Sequence, residues 1–287
     1  MKLLYTYLSF LLIAFTFAQT LDVNPITDEL SIRDTSGATS EEIEVANYLQ
    51  QLVVAAGLDS QNLTKRDYPD NSLLTAAFTS LNRSGVGVQL VHTFATSSAT
   101  QGTTINTVGQ YVSVTGLTKL LTSANKSGLA VSIVMRFFIN YSLVPGLWNV
   151  IVALWNNGVI SLGKRGLLDL VGGIINGVQQ SIINSLITII NSVTDLTQIC
   201  SSLNKSGLAV SIVNDLLTTS DGQNFVVKLA TNFVQKGIVT FDKLLSSLQS
   251  SGIIVDTFTT IIGNSTYRKI IFIWAVKSLV GFIKYIF

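Results

Sequence analysis

One histidine and one cysteine limit the chemistry open to this 287-residue chain. His92 would have to be the general base of any histidine-dependent reaction. No Gly-X-Ser-X-Gly or His-Glu-X-X-His run supplies it with a nucleophile or a metal site. Cys200 has no second thiol, which excludes a disulfide framework and a Cys-rich zinc site. With Ile199 and Leu203 at helical spacing it reads as a small buried hydrophobe, the alternative being an intermolecular disulfide. Gly85-Val-Gly87 lacks the third glycine of a dinucleotide loop. Lys and Arg are scattered without interleaved aromatics, so no nucleic-acid partner is expected. The expectation is a protein without enzymatic activity, cofactor or bound metal.

The residues with readable chemistry are those that other enzymes would process. Met1-Lys2, an apolar run from Leu3 to Phe17 and the small residues Thr16 and Ala18 form a secretory signal, with cleavage expected between Ala18 and Gln19. Asn-X-Ser/Thr triplets at Asn62, Asn82, Asn125, Asn140, Asn204 and Asn264 are candidate glycan sites. Two dibasic pairs, Lys65-Arg66 and Lys164-Arg165, are candidate substrates of a kexin-type protease. The first is followed by the turn-forming Asp67-Tyr68-Pro69-Asp70.

Lys65-Arg66 also lies near a charge boundary. The whole chain has a net charge of +2, but Gln19–Asp70 holds ten acids against three bases and Asn71–Phe287 six acids against fourteen bases, Lys2 making up the rest. Cleavage after Arg66 would give an acidic pro-segment, 19–66, of net −5 and a product of net +6. Screened attraction would hold the two together. Within the pro-segment a helix is expected from Ser40, which would be its N-cap, with Ile43, Ala46, Tyr48, Leu49, Leu52 and Val53 on its apolar face.

A repeated phrase organises the rest. Ser80–Val91, Ser123–Val134 and Ser202–Val213 are close copies, and the last two share Asn-Lys-Ser-Gly-Leu-Ala-Val-Ser-Ile-Val. Ser247–Phe258 is looser and Ser161–Val171 degenerate. Their glycines, Gly85, Gly128, Gly166, Gly207 and Gly252, recur at a period near 40. A Leu-rich helix precedes each glycine, which would take the left-handed C-cap conformation. The β-branched run that follows is too long for a strand without a breaker and is assigned to a second helix. The expected fold is an all-α array of helix hairpins over 67–266. The Thr/Ser-rich stretch 91–114 is expected to be irregular.

The signal, the acidic segment ending in Lys65-Arg66 and the Ser-Leu-Asn-Lys-Ser-Gly-Leu phrase resemble the opaque-phase-specific protein family of Candida-type yeasts. The resemblance implies a secreted or cell-surface fungal protein of no established biochemical activity, and it carries over no catalytic residues.

The tail, 267–287, joins four bases to an apolar helix pattern. Arg268, Lys269, Trp274, Lys277 and Lys284 are its candidate membrane-facing residues. An interfacial helix tolerates such lysines, whereas near a bilayer centre each costs about 2.5–3.5 kcal/mol. A lipid-anchor signal starting near Gly263 is a further reading, and packing into the core is the plain one. The stretch Gly166–Ile190 reads as a buried repeat helix, with membrane activity the alternative. The sequence thus divides into signal 1–18, pro-segment 19–66, repeat region 67–266 and tail 267–287. The expected partners are a kexin-type protease, a membrane or cell wall, and a second copy by self-association. A membrane-perturbing product and a lipid-anchored cell-wall protein are the rival functions.

Overall fold

The computed structural model describes residues 37–55, 72–156, 177–191, 193 and 195–286. The signal, both dibasic pairs, Asn62 and Gly166 lie outside the described residues.

Every regular element described is a helix, so the chain is all-α. Around each of the glycines 85, 128, 207 and 252 the repeat proves to be three helices long. The first unit is α2 (Ser72–Arg83), α3 (Val86–Thr96) and α4 (Gln101–Thr115). The second is α5 (Leu117–Lys126), α6 (Leu129–Ile139) and α7 (Leu143–Asn156). The third is α9 (Leu196–Ser206), α10 (Leu208–Thr218) and α11 (Ser220–Gln235). The fourth is α12 (Phe241–Ser251), α13 (Ile253–Gly263) and α14 (Ser265–Ile286). Two helices stand outside this scheme, α1 (Ser40–Ala55) and α8 (Gly177–Asn191). They pack mainly on each other and also touch α2.

The joint between the first two helices of a unit is the same each time. A lone glycine with φ between 68° and 77° links them at Gly85, Gly128, Gly207 and Gly252. That left-handed conformation is nearly free for glycine and costs other residues about 1–2 kcal/mol. The serine before the glycine closes the turn. Ser206 Oγ donates to the Leu203 carbonyl and accepts from Leu208 N, and Ser84, Ser127 and Ser251 repeat the pattern.

Three local expectations are corrected. The stretch 91–114, expected to be irregular, is helical except for a turn at 97–100. Its threonines have low helix propensity, but Thr93 and Thr96 bond back to carbonyls four residues earlier. In α4, Ile105, Val108 and Val112 are buried, and the helix packs on α11. Tertiary burial outweighs propensity here. The N-cap of α1 is Thr39, not Ser40. Thr39 Oγ1 accepts from Glu42 N while Glu42 Oε2 accepts from Thr39 N, a capping box. Val45 takes the core position expected for Tyr48, which is exposed.

In space the units do not follow chain order. Helix α2 packs on α9, α9 on α5, and α5 on α12. The order is therefore first, third, second, fourth. Leu81, Leu121, Ile199, Leu203 and Leu244 lie in one buried core that runs through all four units.

Candidate interaction surface

The asparagine of the repeat phrase makes the joints between units. Asn82 Nδ2 donates to the Ser206 carbonyl at 2.8 Å, Asn204 Nδ2 to the Ser127 carbonyl at 2.9 Å, and Asn125 Nδ2 to the Ser251 carbonyl at 3.0 Å. Each bond satisfies a carbonyl at a helix C-terminus, where the helix itself offers no donor. A hydroxyl pair repeats the direction on the same helices. Thr75 Oγ1 donates to Ser202 Oγ and Thr118 Oγ1 to Ser247 Oγ, both at 2.9 Å, and Thr197 Oγ1 lies 3.4 Å from Ser123 Oγ. Each unit therefore has a donating face (Thr, Asn) and an accepting face (Ser hydroxyl, Ser carbonyl).

Glycine packing confirms the order. A Cβ on Gly207 would lie 3.2 Å from Asn82 Nδ2, and one on Gly128 would lie 3.3 Å from Asn204 Nδ2. A Cβ on Gly252 would meet Asn125 at 3.7 Å, whereas nothing lies within 4 Å of one on Gly85. Among the described residues the first unit receives no ladder asparagine.

These contacts bear on the candidate glycan sites. Asn82, Asn125 and Asn204 spend on the joints the same amide nitrogen that a glycan would occupy. Asn140 Nδ2 donates to Asn214 Oδ1 at 2.6 Å. Asn264 is exposed and uses only its oxygen, which caps α14 by accepting from Thr266 N and Tyr267 N.

The rare side chains are also structural in placement. His92 Nδ1 lies 2.7 Å from Asp215 Oδ2, a side-chain hydrogen bond that ties α3 to α10 across the first–third joint. The sequence offered no sign of this partner, which lies 123 residues away. Cys200 is buried on α9, and burial pushes its thiol up to about 12. It is therefore a protonated, unreactive group at neutral pH. Among the described residues no group of three His, Cys, Asp or Glu could hold a metal ion.

Glu42 is a buried carboxylate that Gln179 Nε2 reaches at 2.8 Å, joining α1 to α8. Beside α1 runs a groove of about 920 Å³ whose lining includes Glu41 and Glu44 of α1, Arg83 of α2 and Lys205 of α9. Local hydrogen bonds, from its own backbone amide first and then from Ser40, lower the Glu41 pKa. Acids of α1 thus share a groove with bases of α2 and α9.

At the other end of the ladder no unit packs on the donating face of the fourth, among the described residues. Leu245 is 43% exposed, while Phe78, Leu121 and Cys200 at the matching position are buried. Phe241 is exposed where the other units carry the buried Leu74, Leu117 and Leu196. On α13, Ile254, Phe258 and Ile262 are 53%, 65% and 49% exposed. The matching Ala209, Val213 and Leu217 of the third unit are fully buried. Gln249 occupies the ladder-asparagine position here and is exposed.

The tail helix divides its residues between core and solvent. Tyr267, Ile270 and Ile271 pack with Val131, Val134, Met135 and Phe138 of α6. Trp274 does not face outward as expected of a membrane-facing residue. Its ring stands edge-on to Phe138 with centroids 5.4 Å apart, and Tyr141 is 6.4 Å away. Arg268, Lys269 and Lys277 are exposed, together with Phe272, Ile273 and Val276. The Lys284 side chain lies outside the described residues. Among the described residues no single helix is long and apolar enough to cross a membrane. The bent pair α6–α7, broken by 108°, reaches that length and composition, though much of it is buried in the repeat core.

Comparison with family models, with curated proteins and with solved structures finds no match for this chain.

Proposed function

We propose that this chain is a secreted, kexin-processed, non-enzymatic protein of a fungal surface or medium, acting through the faces of its repeat ladder. One observation carries the reading. The polar groups of the repeated phrase are used in joints between units, and the same joint face stands open and apolar on the fourth unit. The signal sequence, the acidic leader and the resemblance to opaque-phase-specific proteins support secretion and processing. The groove that Glu41 and Glu44 share with Arg83 and Lys205 supports a leader held by charge on a basic product.

Mass spectrometry of the medium of a yeast secreting the full chain tests this. The expected product begins at Asp67 and retains the tail. Retention in the cell, or an intact Lys65–Arg66 bond in the secreted form, would overturn the processing. A product ending near Gly263 would instead support the lipid-anchored reading.

A membrane-perturbing activity is the second reading, favoured by the exposed Phe272, Ile273 and Val276 beside Arg268, Lys269 and Lys277. Apolar side chains flanked by cations suit an anionic lipid interface. Dye release from anionic vesicles at micromolar protein is the test, and absence of release would sink it.

A further inference from the structure

The open face of the fourth unit continues an interface that the chain builds three times internally. We infer that a second copy of this chain covers it, the α12–α13 faces of two copies meeting across a two-fold axis. This names a partner for the surface-driven reading above and rests on it.

Four observations converge. First, Phe241, Leu245, Ile254, Phe258 and Ile262 occupy positions that the first and third units bury against neighbouring helices. Such a face resembles a core cut open, and arrays of repeats need a polar outer face on their terminal units to stay soluble. Second, its size is sufficient. With Val255, these side chains expose on the order of 600 Å² of apolar surface, against the roughly 800 Å² of mixed surface that each partner gives to a standard interface.

Third, the ladder's other end is partly covered, although Ser80 and Ser84 there line the groove beside α1. At the first unit's accepting face Ala77 and Leu81 are already buried, and α1 and α8 pack on α2. Head-to-tail growth would have to move α1 and α8 off that face, so pairing of like faces is the closed solution. Gln249 suits it, since a primary amide both donates and accepts and can pair with its own counterpart. Fourth, the face is close to neutral. Its charged residues are Asp242, Lys243 and Asp256. Lys243 Nζ already donates to the Gly237 carbonyl, and Asp256 accepts from Asn125 Nδ2. A strongly charged partner or an anionic bilayer would find little to attract it.

Sedimentation equilibrium of the protein in its secreted form over micromolar concentrations tests the proposal, with Phe258→Asp and Ile254→Lys as variants. Both residues are exposed, so helix content by circular dichroism should not change. The wild type is expected to reach twice the monomer mass. Each variant is expected to weaken association by roughly tenfold or more, as for a buried interface anchor. A monomeric wild type, or variants that dimerise as the wild type does, would overturn the proposal. If the wild type is monomeric but binds vesicles through Phe258, the partner is lipid: the dimer falls and the surface-driven reading stands. If it binds neither itself nor vesicles, both fall.

Discussion

Asn204 sits between two units and holds the carbonyl of Ser127, so its removal strands a helix C-terminus inside a joint. Asn204→Ala is expected to cost about 1–2 kcal/mol, read by urea denaturation. The glycines separate conformational strain from packing. Gly85→Ala meets only the φ penalty, about 1–2 kcal/mol. Gly207→Ala adds a contact at 3.2 Å with the ladder amide of Asn82 and should cost more. Equal losses in the two would deny the joint its role. Cys200 predicts a pH dependence. Its folded pKa is raised to about 12, so the unfolded chain releases the proton first as pH rises. Stability should be complete below the unfolded pKa of about 8.5 and then fall by up to about 1.4 kcal/mol per pH unit through the folded value. Cys200→Ala should flatten that fall. Much of this was legible in the sequence, because a glycine after a Leu-rich helix has one common use and a cysteine between Ile199 and Leu203 belongs in a core. Asp215 as the partner of His92 was not legible, since two residues 123 apart become neighbours only through the ladder.

The helices between the repeated phrases were the hardest to read. Composition argued against α4, yet its threonines lie on a helix that buries Ile105, Val108 and Val112, and local propensity yielded to that burial. Trp274 is a similar case, because a basic, apolar tail pattern does not say which of its faces finds a partner. The asparagine triplets were ambiguous for a different reason. Three of them belong to the repeat phrase, and that recurrence itself was the available sign of a structural use. Glycopeptide mapping of the chain expressed through a yeast secretory pathway should find Asn264 the most occupied of Asn82, Asn125, Asn204 and Asn264. Full occupancy at Asn204 would show that the joint forms without its amide. The leader helix α1 buries Val45, Ala46, Leu49 and Val53. Burying each larger side chain contributes about 1.5–3 kcal/mol, so cutting at Lys65–Arg66 should leave the leader bound. It is expected to co-elute with the product in native chromatography and separate in denaturant; separation without denaturant would contradict this.

The interleaved order of the units governs the whole molecule. Duplication and a period near 40 were plain in the sequence, but a repeat does not record which copy lies beside which. An array in chain order would put the second unit against the first and leave the fourth on the third. In the observed order the second unit bridges the third and fourth, so a chain ending at Asn156 would hold two units without the α2–α9 and α9–α5 packing that joins them. Such a fragment is expected to show loose packing and exposed apolar surface, and cooperative unfolding would contradict that. The order also leaves the fourth unit's apolar face open, on which the proposed pairing depends. Paired cysteines test it most directly, in a Cys200→Ala background. Thr75 and Ser202 place their hydroxyl oxygens 2.9 Å apart, so Thr75→Cys with Ser202→Cys should form a disulfide under mild oxidation. Thr75→Cys with Ser123→Cys, the pair that chain order would bring together, should remain reduced. Bridging of the second pair in place of the first would contradict the ladder and the open face derived from it.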